Sequence, residues 1–317
     1  MNAQDRIQML ALLKQSVARV VRGKPEAIEL VVTALLARGH VLIEDVPGVG
    51  KTTLAQAIAR SLNLSFSRIQ FTSDTLPSDV IGVSLWRPER GEFEFLSGPI
   101  FTNVLLADEI NRATPKTQAA LLEAMNERTV TVDKTRYRLR EPFLVLATQN
   151  PVEYLGTYPL PESQLDRFLI RLALGYPERQ EELNLLAEGG VEGELESLAP
   201  VLDAAQVIEI HGSVRKVRVA EPLLEYILEL VHRTRAHPAL TLGVSTRGAL
   251  ALHRASQALA LVEGRDYVIP DDIRRLAVPI LAHRVILAGG EVGEGWSRSE
   301  AERAVINEIL NVTAVPL

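Results

Sequence analysis

The chain of 317 residues contains no cysteine, which excludes disulfide bonds and thiolate metal sites. It also has no apolar run long enough to span a bilayer, because the best candidate, residues 30–46, is interrupted by Arg38, His40 and Glu44. The first six residues lack the basic-then-apolar order of a signal peptide. We therefore expect a cytoplasmic protein without a membrane span.

Basic residues are fewer than acidic ones, with 34 Lys and Arg against 40 Asp and Glu. The formal net charge is −6, which argues against a broad electrostatic affinity for nucleic acid. Hydrophobic residues make up 47% of the sequence and charged residues 23%, a balance typical of a folded globular protein. The length exceeds that of one ordinary core and indicates two domains.

One stretch organises the chain, the run Glu-Asp-Val-Pro-Gly-Val-Gly-Lys-Thr-Thr at residues 44–53. An apolar segment, residues 40–43, precedes it and predicts a short strand, whereas the residues from Thr53 onward predict a helix. A strand, a glycine-bearing turn that ends in Gly-Lys-Thr and a helix start are the layout of a phosphate-binding loop. The generic pattern has glycine where this chain has Asp45.

Each part of this loop has a chemical reason. Gly48 and Gly50 let the backbone curl so that several N–H groups point inward as an anion-binding nest. The new helix adds its positive N-terminal end, and Lys51 supplies a mobile positive charge for the β- and γ-phosphates. Thr52 offers a hydroxyl ligand for Mg²⁺. The loop therefore predicts binding of ATP with Mg²⁺.

A second decisive stretch, Asn-Val-Leu-Leu-Ala-Asp-Glu, occupies residues 103–109. Four consecutive apolar residues suit a parallel strand that is covered on both faces. Two carboxylates at the carboxyl end of such a strand lie where ligands bind in doubly wound sheets. We predict that Asp108 holds Mg²⁺ and that Glu109 orients and deprotonates the attacking water.

The remaining pattern predicts the fold class, an α/β domain with a five-stranded, mainly parallel sheet followed by an all-helical domain. Further strands are expected at residues 65–71, 143–148 and 168–174, alternating with helical segments. After residue 177 almost no strand-like run remains. The predicted domains are residues 1–177 and residues 178–317, with helices at 223–235, 246–263, 270–288 and 299–310 and a glycine-rich linker at 189–193.

Two insertions interrupt the predicted sheet. Residues 72–100 are irregular, with one hairpin-like arm at 92–95. Residues 129–140 predict a hairpin with its turn at Asp133-Lys134. The three arginines Arg136, Arg138 and Arg140 share one face of it, accompanied by a single aromatic residue, Tyr137.

With these stretches placed, the chain resembles the AAA+ ATPases and, within them, the MoxR family. The resemblance covers most of the chain and rests on the loop at 44–52 and on three further runs: Ala-Asp-Glu-Ile-Asn-Arg-Ala at 107–113, Ala-Thr-Gln-Asn-Pro at 147–151 and Leu-Pro-Glu-Ser-Gln-Leu-Asp-Arg-Phe at 160–168. Aspartate in place of the first glycine is familiar in this family. The implied architecture is an AAA+ phosphate-loop domain with a C-terminal helical lid.

The resemblance also implies roles for individual residues. Asn150 matches sensor 1, which holds the lytic water, and Arg247 matches the sensor 2 arginine of the lid. Arg167 matches the arginine finger that one subunit offers to its neighbour's nucleotide, with Arg171 as a second candidate. The implied nucleotide-binding residues are Val21 and Gly23 near the adenine and Asp45, Pro47, Gly48, Val49, Gly50, Lys51, Thr52 and Thr53 in the loop.

The expected function is Mg²⁺-dependent ATP hydrolysis by a homo-oligomer, a hexameric ring, that remodels partner proteins as a chaperone. An arginine donated to a neighbour requires a head-to-tail contact, and such contacts close into rings. The resemblance implies a partner with a von Willebrand factor A domain and a protein client that touches the two insertions. Two alternatives stay open, a nucleic-acid motor and a chelatase-type motor subunit. The six histidines show no metal-ligand spacing, so local bonding or hydration is expected for them.

Overall fold

The computed structural model describes residues 2–150, 156–289 and 297–316. Its helices are α1 (Ala3–Val20), α2 (Pro25–Leu36), α3 (Lys51–Ser61), α4 (Pro77–Ile81), α5 (Pro115–Glu127), α6 (Glu162–Leu165), α7 (Arg179–Glu188), α8 (Glu192–Glu196), α9 (Ala204–Val214), α10 (Glu221–Ala236), α11 (Thr246–Val262), α12 (Pro270–Leu281) and α13 (Arg298–Val312). Its strands are β1 (Val41–Glu44), β2 (Phe66–Gln70), β3 (Gly82–Arg87), β4 (Glu92–Ser97), β5 (Val104–Asp108), β6 (Thr129–Val132), β7 (Thr135–Arg138), β8 (Leu144–Gln149), β9 (Ile170–Leu172), β10 (Leu240–Leu242) and β11 (Ile286–Leu287).

The predicted five-stranded sheet is present, and its strands run parallel in the order β2-β5-β8-β1-β9. Successive residues of its central strands belong to different hydrophobic cores. In β1, Val41 and Ile43 join one core whereas Leu42 joins the other. Helices therefore cover both faces, which is why these strands read as continuous apolar runs. The predicted α/β fold is confirmed.

Both insertions form hairpins. The segment at 72–100 contains the short helix α4 and both arms of a hairpin, β3 and β4, where the sequence indicated only one arm. Strands β6 and β7 pair as predicted, and their turn residues Asp133 and Lys134 both have positive φ, 47° and 68°. The rings of Phe95 and Tyr137 stack with centroids 4.1 Å apart, so the two hairpins pack against each other.

The predicted helical lid is largely confirmed, with one correction. The helix predicted over residues 270–288 ends at Leu281, and β11 follows a 3₁₀ turn and pairs antiparallel with β10. Pro279 lies inside the last turns of α12 and supplies no N–H, and the run Val285-Ile286-Leu287 favours an extended backbone. The lid is therefore not all-helical. The glycine-rich linker predicted at 189–193 is a turn between α7 and α8, with Gly189 as a left-handed helix cap.

The nucleotide domain and the lid share one hydrophobic core. Helix α2 is mostly apolar and buried from Ala27 to Leu36, between α1 on one side and α9 and α11 on the other. The boundary at residue 177 stays a prediction. Within the described ranges, no helix is both long and apolar enough to cross a membrane.

Candidate active site

The phosphate loop follows β1 and ends in α3. Gly48 and Gly50 have φ of 85° and 92°, a left-handed conformation that L side chains rarely adopt. A Cβ at either position would meet nothing within 4 Å, so backbone conformation rather than crowding requires glycine here. Gly50 is also the N-cap of α3, which brings the positive end of that helix to the loop.

The structure explains Asp45, which stands where the generic pattern has glycine. The Asp45 carboxylate accepts hydrogen bonds from the backbone N–H groups of Leu174 and Gly175, both at 2.6 Å, and of Val46 at 2.9 Å. Asp45 is buried, so these three donors replace its hydration. Its side chain therefore ties the start of the phosphate loop to the carboxyl end of β9.

Lys51 is half-buried and folds back over its own loop. Its Nζ donates to the carbonyl oxygens of Asp45 at 2.9 Å and Val46 at 3.2 Å. Burial lowers the pKa of Lys51, and the negative charges of Asp108, Asp45 and Glu109 oppose this effect. The Lys51 Nζ group thus lies close to carboxylates and can exchange two carbonyl contacts for a phosphate.

Asp108, at the end of β5, is held by two neighbours. Thr148 Oγ1 donates to its Oδ1 at 2.6 Å, and Arg68 Nη2 donates to its Oδ2 at 2.6 Å. Thr148 lies on β8, and Arg68 lies on β2, the strands on either side of β5. The carboxylate therefore points into the groove between three strands, with its charge balanced by a guanidinium.

Glu109 has φ 57° and ψ 48°, an uncommon left-handed conformation for a residue with a side chain. Its backbone N–H donates to Thr148 Oγ1 at 2.9 Å, so one threonine fixes both acidic residues. Its carboxylate forms an ion pair with Arg112, 2.7 Å between Oε2 and Nε. A strained backbone that aims a carboxylate is a recurrent property of catalytic sites.

These residues line one cavity of about 360 Å³. The lining side chains and backbone groups are those of Pro47, Gly48, Gly50, Lys51, Thr52, Thr53, Arg68, Gln70, Asp108, Glu109 and Asn150. Among the residues that the sequence predicted for the loop, Asp45 and Val49 are buried behind the cavity instead. The structure thus brings the predicted lysine, metal ligands, base and sensor 1 together.

Sequence reasoning missed two lining residues, Arg68 and Gln70. They alternate along β2, and Gln70 pairs in register with Asp108 of β5. The alternating pattern of the segment at 65–71 was visible, but only the strand order shows that it lies beside the acidic strand.

The donor set fits Mg²⁺. Thr52 and Asp108 present hard oxygen ligands to the same cavity, and Arg68 pairs with the Asp108 carboxylate. Within the described residues no group of three or more His, Cys, Asp or Glu could hold a metal alone. Two protein oxygens leave the other ligands to phosphate and water, which is the coordination that Mg²⁺ prefers.

Val21 and Gly23, the two residues expected near the adenine, lie in different surroundings. Gly23 lines a second cavity of about 620 Å³ between the start of α2, the end of β9 and the lid helices α12 and α13. Val21 is buried in the hydrophobic core and does not line that cavity. The adenine-binding assignment of both residues stays a prediction.

The finger segment, residues 161–168, lies at the opposite edge of the sheet. Arg167 precedes β9, whereas the phosphate loop follows β1, and the two strands run parallel. Arg167 Nη1 donates to the carbonyl of Leu122 at 2.7 Å. Arg247 begins α11, and its Nη1 lies 3.5 Å from Asp166 Oδ2. The structure brings neither arginine to the phosphate cavity of its own chain.

Lid residues hold the finger segment. Arg284, almost fully buried, donates to Asp166 Oδ1 at 2.8 Å and to the carbonyl oxygen of Phe168 at 2.6 Å. Burial lowers the pKa of Arg284 to about 10, and the charge of Asp166 opposes this effect. Arg298 of α13 pairs with Glu162 at 2.8 Å.

Arg171 differs from Arg167 in its accessibility. Its side chain is 4% exposed, and it pairs with Glu302 of the lid at 2.8 Å and with Glu44 at 3.6 Å. An arginine held between two carboxylates inside its own subunit cannot reach a neighbour. Of the two finger candidates, only Arg167 lies where another subunit could contact it.

The buried histidines are bonded locally, as expected. His40 Nδ1 accepts from the Val145 N–H at 3.0 Å, and its Nε2 donates to the Met125 carbonyl at 3.1 Å. Burial lowers the pKa of His40 and of His211 to about 4, so both are neutral near pH 7.

Comparisons with known proteins agree with this geometry. The family model for the ATPase family associated with various cellular activities (AAA) matches residues 40–170, and the model for the AAA lid domain matches residues 232–309. An uncharacterised protein of Bacillus subtilis, YeaC, is 50% identical over 99% of this chain and 97% of its own length. The Chaperone MoxR1 of Mycobacterium tuberculosis is 39% identical over 95% of this chain and 80% of its own length.

A solved structure extends the agreement to the whole fold. The crystal structure of a Cytophaga hutchinsonii protein assigned as an ATPase superposes with a TM-score of 0.91 at 39% identity, covering 99% of this chain and 97% of the other. The AAA domain carries ATP hydrolysis, and these relatives span nearly the full chain. The protein therefore belongs to the MoxR family of AAA+ ATPases.

Proposed function

We propose that the chain hydrolyses ATP with Mg²⁺ at sites formed between subunits of a hexameric ring. The observation that carries this proposal is the separation of the two edges of the sheet. The phosphate cavity holds a lysine, metal ligands and a base, whereas Arg167 and Arg247 lie at the other edge, beside Asp166. A head-to-tail arrangement would place the finger segment of one subunit on the cavity of the next.

In the cavity, the residues of this chain divide the work. The glycine loop and the N-terminal end of α3 bind phosphate oxygens, and Lys51 turns from the Asp45 and Val46 carbonyls to the β- and γ-phosphates. Thr52 and Asp108 would hold Mg²⁺, which neutralises charge on the phosphates when bound. Arg68 donates to one oxygen of the Asp108 carboxylate, so it would compete with Mg²⁺ for that oxygen.

Glu109 accepts the proton of the attacking water, and Asn150 orients that water without competing as a base. The Arg112 guanidinium orients the Glu109 carboxylate through their ion pair. Arg167 of the neighbouring subunit neutralises the charge that develops on the transferred phosphoryl group. Such a contact is worth about 10³–10⁵ in rate in GTPases.

The energy of hydrolysis serves to remodel a client protein, and the surface of the two packed hairpins is where the client would bind. Trp86 and Phe93 project from the first hairpin and are 52% and 69% exposed. The Phe95–Tyr137 stack joins this hairpin to the second one. The support from relatives is the name chaperone, which the Mycobacterium tuberculosis protein carries. A partner with a von Willebrand factor A domain and a cytoplasmic location belong to the same proposal.

The structure gives no support to a nucleic-acid motor. Of the three arginines on the second hairpin, Arg136 is engaged by Thr129 at 2.9 Å and lies 3.4 Å from Glu127. Arg140 lies 3.4 Å from Ser65 Oγ. A face that is partly engaged within the chain leaves few cations for phosphates, and affinity for nucleic acid depends on many such contacts.

The test compares two substitutions in one cavity. Glu109→Gln removes the base but no phosphate contact, so ATP should still bind, whereas hydrolysis should fall by about 10²–10⁴. Lys51→Ala removes a phosphate contact, so ATP binding itself should weaken. Nucleotide affinity by calorimetry and phosphate release would be measured for both. A Glu109→Gln protein that hydrolyses ATP at the normal rate would contradict the assigned base.

A further inference from the structure

A cavity outside the nucleotide site collects positive charge. It has a volume of about 300 Å³ and lies where α2, α5, α9 and α11 meet. Four arginines line it, which we call the four-arginine pocket: Arg38, Arg128, Arg215 and Arg254. Two belong to the nucleotide domain and two to the lid. The pocket shares no lining residue with the phosphate cavity.

The pocket is short of negative charge. Arg38 pairs with Glu141 at 2.9 Å, and Arg128 approaches the same carboxylate at 3.8 Å. Arg215 and Arg254 are exposed residues, and their guanidinium groups have no hydrogen bond or ion pair in the part of the chain that the structure describes. Partial burial lowers the pKa of Arg254, and the positive charge of Arg215 acts in the same direction.

The negative C-terminal ends of helices offset part of this positive charge but not all of it. Helices α2, α5 and α9 end at the pocket, at Leu36, Glu127 and Val214. Each C-terminus is equivalent to about half a negative charge, and arginines often neutralise such ends. Three helix ends and Glu141 together carry less charge than four guanidinium groups. The pocket therefore retains positive charge after these structural contacts are satisfied.

The buried residue His211 indicates which hydrogen-bonding groups a ligand of this pocket should carry. His211 lines the pocket, and its Nε2 donates to the carbonyl of Leu35 at 3.0 Å. This bond makes the other ring nitrogen, Nδ1, an acceptor, and Nδ1 is buried without a partner among the described residues. A ligand for this pocket should accept hydrogen bonds from arginines and also offer one O–H group.

We propose that the four-arginine pocket binds a compact phosphate anion, such as inorganic phosphate or diphosphate, and thereby ties the lid to the nucleotide domain. Hydrogenphosphate groups carry oxygens for the guanidinium groups and an O–H for His211 Nδ1, whereas sulfate carries no O–H at neutral pH. The anion would join Arg38 and Arg128 on one side to Arg215 and Arg254 on the other. This site is additional to the nucleotide site.

The test uses the full chain with diphosphate, inorganic phosphate, ATP and sulfate as separate probes. The Lys51→Ala background weakens binding at the phosphate loop. Calorimetry on that protein would be compared with the same protein carrying Arg215→Gln and Arg254→Gln. The control carries Arg90→Gln and Arg218→Gln, which remove the same charge from exposed positions outside the pocket.

We expect the control to bind one more equivalent of diphosphate than the pocket variant, or to bind it at least tenfold more tightly. Diphosphate should raise the melting temperature of the control and not that of the pocket variant, and sulfate should bind more weakly than phosphate. Equal stoichiometry and affinity in both proteins would overturn the proposal. Equal binding of sulfate and phosphate would overturn the part assigned to His211. A preference for ATP over diphosphate would identify a nucleotide as the source of the phosphate group.

Discussion

The two edges of the five-stranded sheet hold charged side chains in opposite ways. At the carboxyl edge, Lys51 is half-buried among carboxylates and bonds only to carbonyl oxygens, and Arg68 is 47% exposed beside Asp108. At the amino edge, Arg284 is 3% exposed and makes hydrogen bonds to Asp166 and to several carbonyl oxygens of the finger segment and α12.

This difference distinguishes charged groups that are available to bind a ligand from charged groups that stabilise the fold. Groups at the carboxyl edge are left with interactions that a nucleotide can replace, and such sites contribute little to stability. Groups at the amino edge are desolvated and fully bonded, so they fix the finger segment against the lid. The same residue types therefore serve binding at one edge and positioning at the other. The following predictions test this contrast, from the largest expected effect to the smallest.

Removing one cation from each edge should give opposite results. Arg284→Met removes the buried donor of Asp166 Oδ1 and one of the two side-chain donors of the Phe168 carbonyl, which also accepts from His283 Nε2, and breaking such a pair costs about 3–5 kcal/mol of unfolding free energy. Lys51→Met should change the free energy of unfolding by less than about 1 kcal/mol. The lysine already loses part of its hydration in the folded chain, and this cost offsets its favourable interaction with the carboxylates. Urea unfolding of both variants measures the contrast. Equal losses would show that the two edges are not different in this way.

A smaller loss of stability is expected at Asp45, a residue of the carboxyl edge that does stabilise the fold. Asp45→Asn removes an acceptor for the N–H groups of Leu174 and Gly175, and a buried donor left unbonded costs about 1–3 kcal/mol. The phosphate loop would also lose its connection to β9, so ATP affinity should fall with stability. Asp79→Asn, at the exposed start of α4, serves as a control. An unchanged melting temperature and ATP affinity would contradict the tether.

Lowering the pH should destabilise the structure at the amino edge of the sheet. The pKa of His40 is about 4 in the folded chain and about 6.5 when unfolded, so the unfolded chain binds more protons below pH 6.5. Stability that is complete above that pH is therefore lost as the pH falls toward 4, by about 1.4 kcal/mol per pH unit for this residue. The His40 carbonyl accepts the Leu169 amide, so the protection factor of that amide should fall between pH 7 and pH 5.5. The exposed His232→Gln should leave the slope unchanged, and a flat profile in the parent protein would contradict the prediction.

The sequence revealed what is local and not what depends on distant pairing. The loop at 44–53 and the acids at the carboxyl end of β5 carry their chemistry in adjacent residues, so each motif predicted both the element and the chemistry at its end. Arg68 escaped notice because its position depends on β2 lying beside β5. Strands β10 and β11 were missed because their pairing joins residues far apart in the chain.

Burial distinguishes the two finger candidates, Arg167 and Arg171, which the sequence alone could not do. Arg167 and Arg171 are four residues apart and were the first and second finger candidates in the sequence, and the structure shows that Arg167 precedes β9 whereas Arg171 lies inside it. The carboxylates that enclose Arg171 come from Glu44 and Glu302, at opposite ends of the chain. The four-arginine pocket is likewise built from four separate helices or their ends. No pattern of neighbouring residues could have indicated either arrangement.

The central claim is that one subunit supplies the base and the next supplies the finger. Arg167→Ala protein and Glu109→Gln protein should each bind ATP and hydrolyse almost none. Mixed in equal amounts, with subunit exchange verified by fluorescence transfer between labelled chains, they should recover activity. About one interface in four would then pair an intact base with an intact finger, because each interface draws two subunits at random from a closed ring. Turnover near a quarter of the parent rate is the predicted result, and mixed rings that exchange subunits yet stay as inactive as either variant would contradict the account.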